Sequence, residues 1–369
     1  MALSTRYLME SAPGPETLIN GQRYLYFGGT SYYGLHHHPD LMTAGIETWK
    51  AIGTNTATSR DGMGTAPVHV QVETAASKFF ATEDAAYLAS GYLNNTAGVQ
   101  ALHRSGAFDI IFVDEHAHYC VHDAARTTGA RIHRFSHRSP EDLNWQLSQY
   151  LRPGQTPLVM SDGLFPGLGK IAPLGDYLAL LEPYGGLIWL DDAHAAGVLG
   201  PHGRGSADYF CIDSDRVFAG ATLAKAFGGF GGIVSGSAQF IATVRSGPTL
   251  VAATAPPSPL AAASAVGLEL VLANPQWRHT LWDNARLLKN GLCGLGLDID
   301  ETEVPIAAFA LESQRRMQQV HQQLMEKNIA IQLHKYPGGA TSGMLRMVVF
   351  STHSKQQIGQ LIDALSTVL

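Results

Sequence analysis

The chain has 369 residues, of which 45% are hydrophobic and 15% charged, and this balance predicts a globular protein with a large core and excludes a disordered chain. The formal net charge of -6 provides no basic field, so we expect no nucleic-acid partner. No apolar run approaches membrane-spanning length and the first residues lack the apolar core of a signal peptide, so we expect a cytoplasmic protein without stable membrane association. Three widely spaced cysteines argue against a disulfide framework or a cysteine-based zinc site.

The predicted elements divide the chain into three parts. Residues 1–38 contain short strand-like pieces and a turn-rich segment, which indicate an N-terminal arm. Residues 39–275 begin with a helix and a loop rich in Gly, Thr and Ser, and then alternate helices with apolar strands. Residues 276–369 mix helices and strands without that rhythm, which predicts a smaller α+β domain.

The strands of the middle part are apolar along their whole length. They are predicted at 85–89, 110–113, 158–160, 187–190 and 217–219, with helices at 68–80, 95–102, 120–128 and 174–181. Continuous apolar strands alternating with helices are typical of a mostly parallel sheet covered on both faces. Ligands of such sheets bind beyond the carboxyl ends of the strands, so the polar residues that follow the strands are predicted to share one site.

Lys225 lies in a collar of small residues, Gly220–Gly232, directly after the apolar run at 217–219. A lysine at the end of a buried strand can have its charge disfavoured by desolvation and become the neutral amine that attacks an aldehyde. A covalent bond to pyridoxal phosphate (PLP) requires such an amine. On this stretch alone, the alternative is a solvated loop lysine beside glycines.

A second candidate group follows the strand at 187–190. Asp191 could pair with the pyridine nitrogen of PLP and keep it protonated, so that the ring accepts electrons from a substrate carbanion. His194, three residues on, could reach the ring hydroxyl of the cofactor. The alternatives are a helix cap at Asp191 or Asp192 with a satisfied polar His194, or metal ligands, for which one histidine beside acids is weak support.

Three histidines, His116, His118 and His122, follow the strand at 110–113. An imidazole can stack on a cofactor ring and take part in proton transfer, because its ordinary pKa lies near neutrality. The same spacings could suggest zinc. The segments around Lys225 and Asp191 favour stacking, and we expect no metal.

The order of these motifs resembles the α-oxoamine synthases, a family with the aspartate-aminotransferase-like fold (PLP fold type I). The resemblance runs from about Tyr24 to the C-terminus and rests on Ser90-Gly-Tyr-Leu-Asn-Asn95, Asp114-Glu…His118, Asp162-Gly-Leu-Phe165, Asp191-Asp-Ala-His194, Gly203-Arg-Gly205 and Thr222-Leu-Ala-Lys225. It implies a mostly parallel sheet in a large domain, a smaller α+β C-terminal domain, and PLP as the cofactor. The implied reaction condenses a small amino acid with an acyl-CoA or other acyl thioester, with decarboxylation, to an α-amino ketone.

The resemblance also implies roles around the cofactor ring. Lys225 is expected to form the Schiff base, and Asp191 to pair with the pyridine nitrogen. His194 is expected near the ring hydroxyl, and His118 stacked over the ring. The glycines around Lys225 are expected to let the backbone approach the cofactor closely.

Five further residues match family positions that bind the phosphate or the substrate. The phosphate would be held by the backbone amides of Gly91 and Tyr92 and by the hydroxyl of Thr222. Thr254 matches a threonine offered to the phosphate of the neighbouring subunit, which implies a homodimer with shared active sites. Arg346 matches the arginine that binds the amino-acid carboxylate, for which a guanidinium is suited.

The chain departs from the family pattern at positions expected to face the substrate. Thr30 replaces an asparagine, 166–169 reads Pro-Gly-Leu-Gly instead of Ser-Met-Asp-Gly, and 55–59 replaces a glycine-rich loop. The amino acid and the acyl group therefore stay open. The alternatives are another fold-type I PLP enzyme, an aldolase or an aminotransferase, or a non-catalytic partner subunit, against which Lys225 argues.

Overall fold

The computed structural model describes residues 7–335 and 343–369, and the chain divides into two compact units. The small unit contains residues 1–37, 166–169 and 276–369, and the large unit contains residues 38–165 and 170–275. The N-terminal segment, predicted as an arm, therefore groups with the C-terminal residues. Among the described residues, no helix has the length and apolar character needed to cross a membrane.

The strands are short and occur in both units. In chain order they are β1 (Glu16–Ile19), β2 (Gln22–Tyr26), β3 (Asp84–Leu88), β4 (Ile110–Asp114), β5 (Arg131–Phe135), β6 (Pro157–Asp162), β7 (Leu164–Phe165), β8 (Lys170–Ile171), β9 (Leu187–Asp191), β10 (Val217–Thr222), β11 (Gly232–Gly236), β12 (Ile306–Phe309), β13 (Ile329–Ala330), β14 (Gln332–His334) and β15 (Met344–Val348).

The helices alternate with the strands through the large unit. In chain order they are α1 (Pro39–Ile52), α2 (Pro67–Phe80), α3 (Gly91–Arg104), α4 (Tyr119–Arg126), α5 (Pro140–Tyr150), α6 (Leu174–Leu181), α7 (Ser206–Tyr209), α8 (Ala238–Arg245), α9 (Pro248–Val251), α10 (Ser258–Ala273), α11 (Gln276–Gly294), α12 (Gln314–Glu326) and α13 (Lys355–Val368). Short helical turns lie at Leu35–His37, Arg60–Gly64 and Glu182–Tyr184.

The large unit is built on a seven-stranded sheet with the order β3-β11-β10-β9-β6-β4-β5. Only β11 runs antiparallel to its neighbours β10 and β3, so the sheet is mostly parallel, as predicted. Alternate residues of β4 pack into different cores: Ile111 and Val113 belong to one cluster, and Ile110 and Phe112 to another. Both faces of the sheet are therefore buried, which explains why its central strands are apolar throughout.

The register of the sheet brings three strand ends together. Asp162 of β6 lies opposite Asp191 of β9, and Asp191 lies opposite Gly220 of β10. Because these strands are parallel, the residues that follow them emerge at the same edge. That edge carries the candidate site.

The small unit contains two three-stranded sheets, with the orders β12-β15-β14 and β1-β2-β13. The first is antiparallel, and in the second β13 runs parallel to β2. Apolar residues of α11, α12 and α13 pack with these strands into a core of their own. Arg346 is a buried residue within β15.

Candidate active site

Asp191, the last residue of β9, is buried and accepts three hydrogen bonds. Its Oδ2 accepts hydrogen bonds from Asn95 Nδ2 at 2.9 Å and from Cys120 Sγ at 3.1 Å. Its Oδ1 accepts the Ala193 amide at 3.0 Å. The side chain is buried, and three donors stabilise an ionised carboxylate at this position.

Asn95 is itself oriented by Trp189 of β9. The indole Nε1–H donates to Asn95 Oδ1 at 2.7 Å. An indole nitrogen can only donate, so the carbonyl end of the amide must face it and the NH2 group must face Asp191. Trp189 and Asn95 are both buried, which fixes a chain of contacts from the core to the carboxylate.

His118 begins α4 as its N-cap residue. Its Nδ1 accepts the Cys120 amide at 3.3 Å and lies 2.8 Å from Cys120 Sγ, and its own amide donates to Asp162 Oδ1 at 3.0 Å. Burial lowers the pKa of His118, Asp191 acts against that shift, and the charge of Lys225 adds to it. A neutral imidazole is therefore favoured, and its flat ring is compatible with the predicted stacking on a cofactor ring.

His118, Cys120 and Asp191 each offer a ligand atom within 4.8 Å of the other two. Burial raises the pKa of the Cys120 thiol, and the neighbouring Asp191 raises it further. A protonated thiol that donates to the carboxylate accounts for these short distances without an ion. Among the described residues, neither His116 nor His122 joins this cluster, so the three-histidine zinc alternative is not assembled.

Lys225 lies in the turn after β10 and is half-buried. Its backbone carbonyl accepts the Gly228 amide at 3.2 Å, which closes the turn. Its charge lowers the pKa of His118 and opposes the raised pKa of Asp162, so its electrostatic influence reaches both groups. His194 is buried in the turn after β9. The structure thus brings Lys225, His118 and Asp191 to one edge of the sheet.

The start of α3 adjoins the end of β10. A Cβ on Gly91 would lie 2.7 Å from the Thr222 side chain, so these two residues are in direct contact and only glycine fits. Ser90 Oγ accepts the Tyr92 amide at 3.1 Å, while Thr222 Oγ1 donates to the Gly231 carbonyl at 3.1 Å. A helix N-terminus next to a threonine suits an anion. The roles of Gly91, Tyr92 and Thr222 in phosphate binding stay predictions.

Thr254 and Arg346, two further residues predicted for the site, each contact other residues of the chain. Thr254 is exposed and forms an isolated antiparallel bridge with Ser59, which ties it to the loop before α2. Arg346, in the small unit, donates from Nε to the Pro166 carbonyl at 2.7 Å and from Nη1 to Gln332 Oε1 at 2.6 Å. The roles expected for Thr254 and Arg346 stay predictions.

The glycines near Lys225 have close neighbours that are protein atoms. A Cβ on Gly220 would lie 2.7 Å from Asn94 Cβ, and Asn94 approaches Gly232 as well. A Cβ on Gly229 would also clash with Ser264 of α10. These glycines therefore let α3 and α10 approach the sheet closely, and the close approach of backbone to the cofactor around Lys225 stays a prediction.

Two buried carboxyls were not assigned a role from the sequence. Asp192 accepts the Ser206 hydroxyl at 2.6 Å and the Ser206 amide at 2.8 Å, and burial raises its pKa to about 6. Burial and the neighbouring Asp191 raise the pKa of Asp162 well above its ordinary value. The sequence signal for both was their place at strand ends, but their partners depend on long-range register.

The chain matches the family described as "Aminotransferase class I and II" over residues 27–365. It is 30% identical to an 8-amino-7-oxononanoate synthase of Symbiobacterium thermophilum over 362 residues, which cover 98% of this chain and 92% of the relative. The chain belongs to the α-oxoamine synthases, within that family.

Solved structures agree with this assignment. A serine palmitoyltransferase of Sphingomonas wittichii superposes with a TM-score of 0.91 at 28% identity, covering 98% of this chain and 91% of that one. A serine palmitoyltransferase described with a PLP internal aldimine gives a TM-score of 0.91 at 27% identity, with 98% and 92% covered. The predicted fold type I architecture is confirmed, and this α-oxoamine synthase is a PLP-dependent acyltransferase.

The residues of the sheet edge fit PLP. A carboxylate oxygen has about two acceptor positions, and Oδ1 of Asp191 accepts one hydrogen bond from Ala193, which leaves room for a pyridine N–H. Lys225 supplies an amine after the neighbouring strand, and the contact between Gly91 and Thr222 lies at a helix N-terminus suited to a phosphate. These groups match the three chemical ends of the cofactor.

Proposed function

We propose that this α-oxoamine synthase condenses a small amino acid with an acyl thioester, such as an acyl-CoA, and releases CO2 to form an α-amino ketone. The observation that supports it most is the assembly of Lys225, His118 and Asp191 at one sheet edge, with Asp191 held by three donors. Curated relatives named 8-amino-7-oxononanoate synthase and solved serine palmitoyltransferases point to the same class of reaction.

PLP, when bound, supplies an electron sink for a carbanion at the substrate Cα. Lys225 Nζ is the proposed base that accepts the Cα proton and later returns one. Asp191 keeps the pyridine nitrogen protonated, and His118 covers the ring with a neutral imidazole. Arg346 binds the carboxylate of the amino acid, and His194 contacts the ring hydroxyl.

The proposed assembly is a homodimer. Met42, Ile46 and Trp49 lie on one face of α1 and are 44%, 47% and 61% exposed. An apolar stripe of this kind is typical of a surface that another subunit covers. In such a dimer Thr254 would reach the phosphate of the neighbouring subunit.

A matched pair of tryptophan variants tests the dimer. Trp49→Glu should convert the protein to monomers in light scattering and weaken PLP binding, because the shared site is lost. Trp145→Glu is the control, since Trp145 is 51% exposed on α5, away from the stripe. A Trp49→Glu protein that keeps its mass and PLP affinity would contradict the proposed interface.

The reaction is tested by incubating the PLP-loaded enzyme with glycine, alanine or serine and acyl-CoAs of increasing chain length. Free thiol and CO2 from carboxyl-labelled amino acid should appear in equal amounts, and only when both substrates are present. Lys225→Ala is the control and should release neither product. Because both products come from one condensation, their ratio checks the mechanism as well as the activity.

Other outcomes identify the alternative enzyme classes. An amino-group transfer to a 2-oxo acid without thiol release indicates an aminotransferase, and cleavage of a β-hydroxy amino acid indicates an aldolase. Purified protein that stays colourless with added PLP would favour a non-catalytic subunit. Absence of thiol release with every pair of substrates would refute the proposed condensation.

A further inference from the structure

We propose that Cys120 and Asn95 are positioning residues for the cofactor: together they occupy Oδ2 of Asp191 and direct the pyridine N–H to Oδ1. This inference rests on the proposed pairing of Asp191 with the pyridine nitrogen and is independent of the substrates. It gives a function to a thiol that the proposed reaction does not use. The argument depends on the direction of each hydrogen bond in the cluster.

The direction of the Asn95 bonds follows from Trp189. Since the indole N–H must donate to Asn95 Oδ1, both amide hydrogens point the other way. One reaches Asp191 Oδ2 at 2.9 Å, and the other reaches Cys120 Sγ at 3.1 Å. Asn95 therefore donates to both of its neighbours, and the sulfur atom is an acceptor in this contact.

The thiol hydrogen then has two acceptors within reach. Asp191 Oδ2 lies 3.1 Å from Sγ, and His118 Nδ1 lies 2.8 Å from it. His118 Nδ1 already accepts the Cys120 backbone amide in the helix cap, whereas Asp191 offers an ionised oxygen, the stronger acceptor. The thiol hydrogen is therefore shared between the two acceptors, and we assign its stronger bond to Asp191, in keeping with a buried thiol that stays protonated.

These donors leave the two carboxylate oxygens of Asp191 with different numbers of accepted hydrogen bonds. Oδ2 receives two hydrogen bonds, which fill its usual capacity, and Oδ1 receives only the Ala193 amide among the donors that the structure describes. An additional donor, such as the pyridine N–H of the cofactor, would therefore bind at Oδ1. Loss of the thiol donor would free a position on Oδ2 and let the carboxylate rotate, which weakens the hold on the cofactor.

The experiment uses full-length apoenzyme and PLP, without substrates. Cys120→Ala removes the donor, Cys120→Ser keeps an O–H donor, and Cys211→Ala is the control because Cys211 is an exposed free cysteine. We measure the PLP dissociation constant, the unfolding midpoint of the apoenzyme, and the pH at which the absorption of bound PLP changes. The serine variant separates a donor role from a packing role.

Loss of one hydrogen bond to a charged group should raise the PLP dissociation constant of Cys120→Ala about 5- to 10-fold. It should also shift the pH midpoint of the cofactor absorption, while Cys120→Ser restores both values and Cys211→Ala changes neither. Cys120→Ala with wild-type affinity and pH midpoint would overturn the proposal. Cys120→Ser as impaired as Cys120→Ala would overturn it as well.

A double-mutant cycle connects the effect to Asp191. In an Asp191→Asn background, Cys120→Ala should cause no further loss of PLP affinity, because its only effect acts through that carboxylate. Additive losses would refute the positioning role. If the double-mutant cycle behaves as expected but the condensation assay fails, only the proposed reaction is refuted. The positioning role and the proposed reaction can therefore be refuted independently.

Discussion

Gly98→Ala tests the coupling between the core and the site. Gly98 lies in α3, where a Cβ would be 2.8 Å from Trp189 Cζ2 and closer still to Cζ3 and Cη2. Favourable carbon contacts lie at about 3.5–4 Å, so the indole would have to retreat by roughly 1 Å or more. Trp189 is fully buried, and the retreat would pull its Nε1–H away from Asn95.

The expected magnitude follows from three opposing effects. Overpacking costs about 1–3 kcal/mol, loss of the Trp189–Asn95 hydrogen bond costs about 1 kcal/mol, and replacing a helical glycine by alanine returns about 0.5–1 kcal/mol. The net loss of stability is about 1–3.5 kcal/mol. Because Asn95 holds Asp191, the PLP dissociation constant should also rise several-fold, a coupling that packing alone would not produce.

The assay compares apoenzyme unfolding midpoints and PLP titrations of the wild type, Gly98→Ala and Gly175→Ala. Gly175 is an exposed residue of α6 with no heavy atom within 4 Å of the added Cβ, so its substitution should be neutral or slightly stabilising and leave PLP binding unchanged. A wild-type midpoint for Gly98→Ala would refute the packing argument. A lowered midpoint with wild-type PLP affinity would refute the coupling to Asp191.

Lys225→Ala should abolish turnover and the borohydride-reducible link to PLP; a reduced adduct on another lysine, found by peptide mapping, would contradict the assignment. Asp191→Asn should still bind some PLP but show little activity in the thiol-release assay, and wild-type turnover would exclude its role. Ser206→Ala should lower the unfolding midpoint more at pH 8 than at pH 5, because Asp192 is protonated in the fold below its pKa of about 6 and above it would ionise without the hydroxyl donor, keeping only the backbone amide of residue 206. An equal loss at both pH values would argue against that linkage. Asp162→Asn should bind PLP with nearly wild-type affinity, measured by spectral titration.

The fold was predictable where local pattern and tertiary environment agree. The apolar strands β4, β6 and β9 were recognised because both of their faces are buried, and α6 matches the helix predicted at 174–181. β5 was missed because three of the five residues in Arg131–Phe135 are polar, as an edge strand of the sheet tolerates. β11 was missed because its Gly232 and Gly236 ends are typical of loops, and its strand form depends on pairing with β10 and β3.

The site was predictable only in part for the same reason. Lys225, Asp191 and His118 each follow a recognisable strand, so their convergence could be inferred from the parallel topology. The contacts of Asn95 and Cys120 with Asp191 could not, since they depend on how α3 and α4 pack against β9. The packing of Gly220 and Gly232 against Asn94, and of Gly229 against Ser264, depends in the same way on tertiary contacts that the sequence alone does not reveal.

The paired strand ends explain why Asp162 and Asp191 should behave differently. They lie opposite each other in register, and two buried carboxylates so close cannot both ionise cheaply. Asp191 accepts hydrogen bonds from three donors. Among the described residues, the carboxyl group of Asp162 accepts only the His118 amide, and Asp162 Oδ2 has no hydrogen-bond partner. Burial and the neighbouring Asp191 raise the pKa of Asp162 well above its ordinary value, which favours the neutral form of the Asp162 carboxyl. Asp162→Asn imitates that neutral state, so a large loss of PLP affinity would show that Asp162 carries charge in the native site.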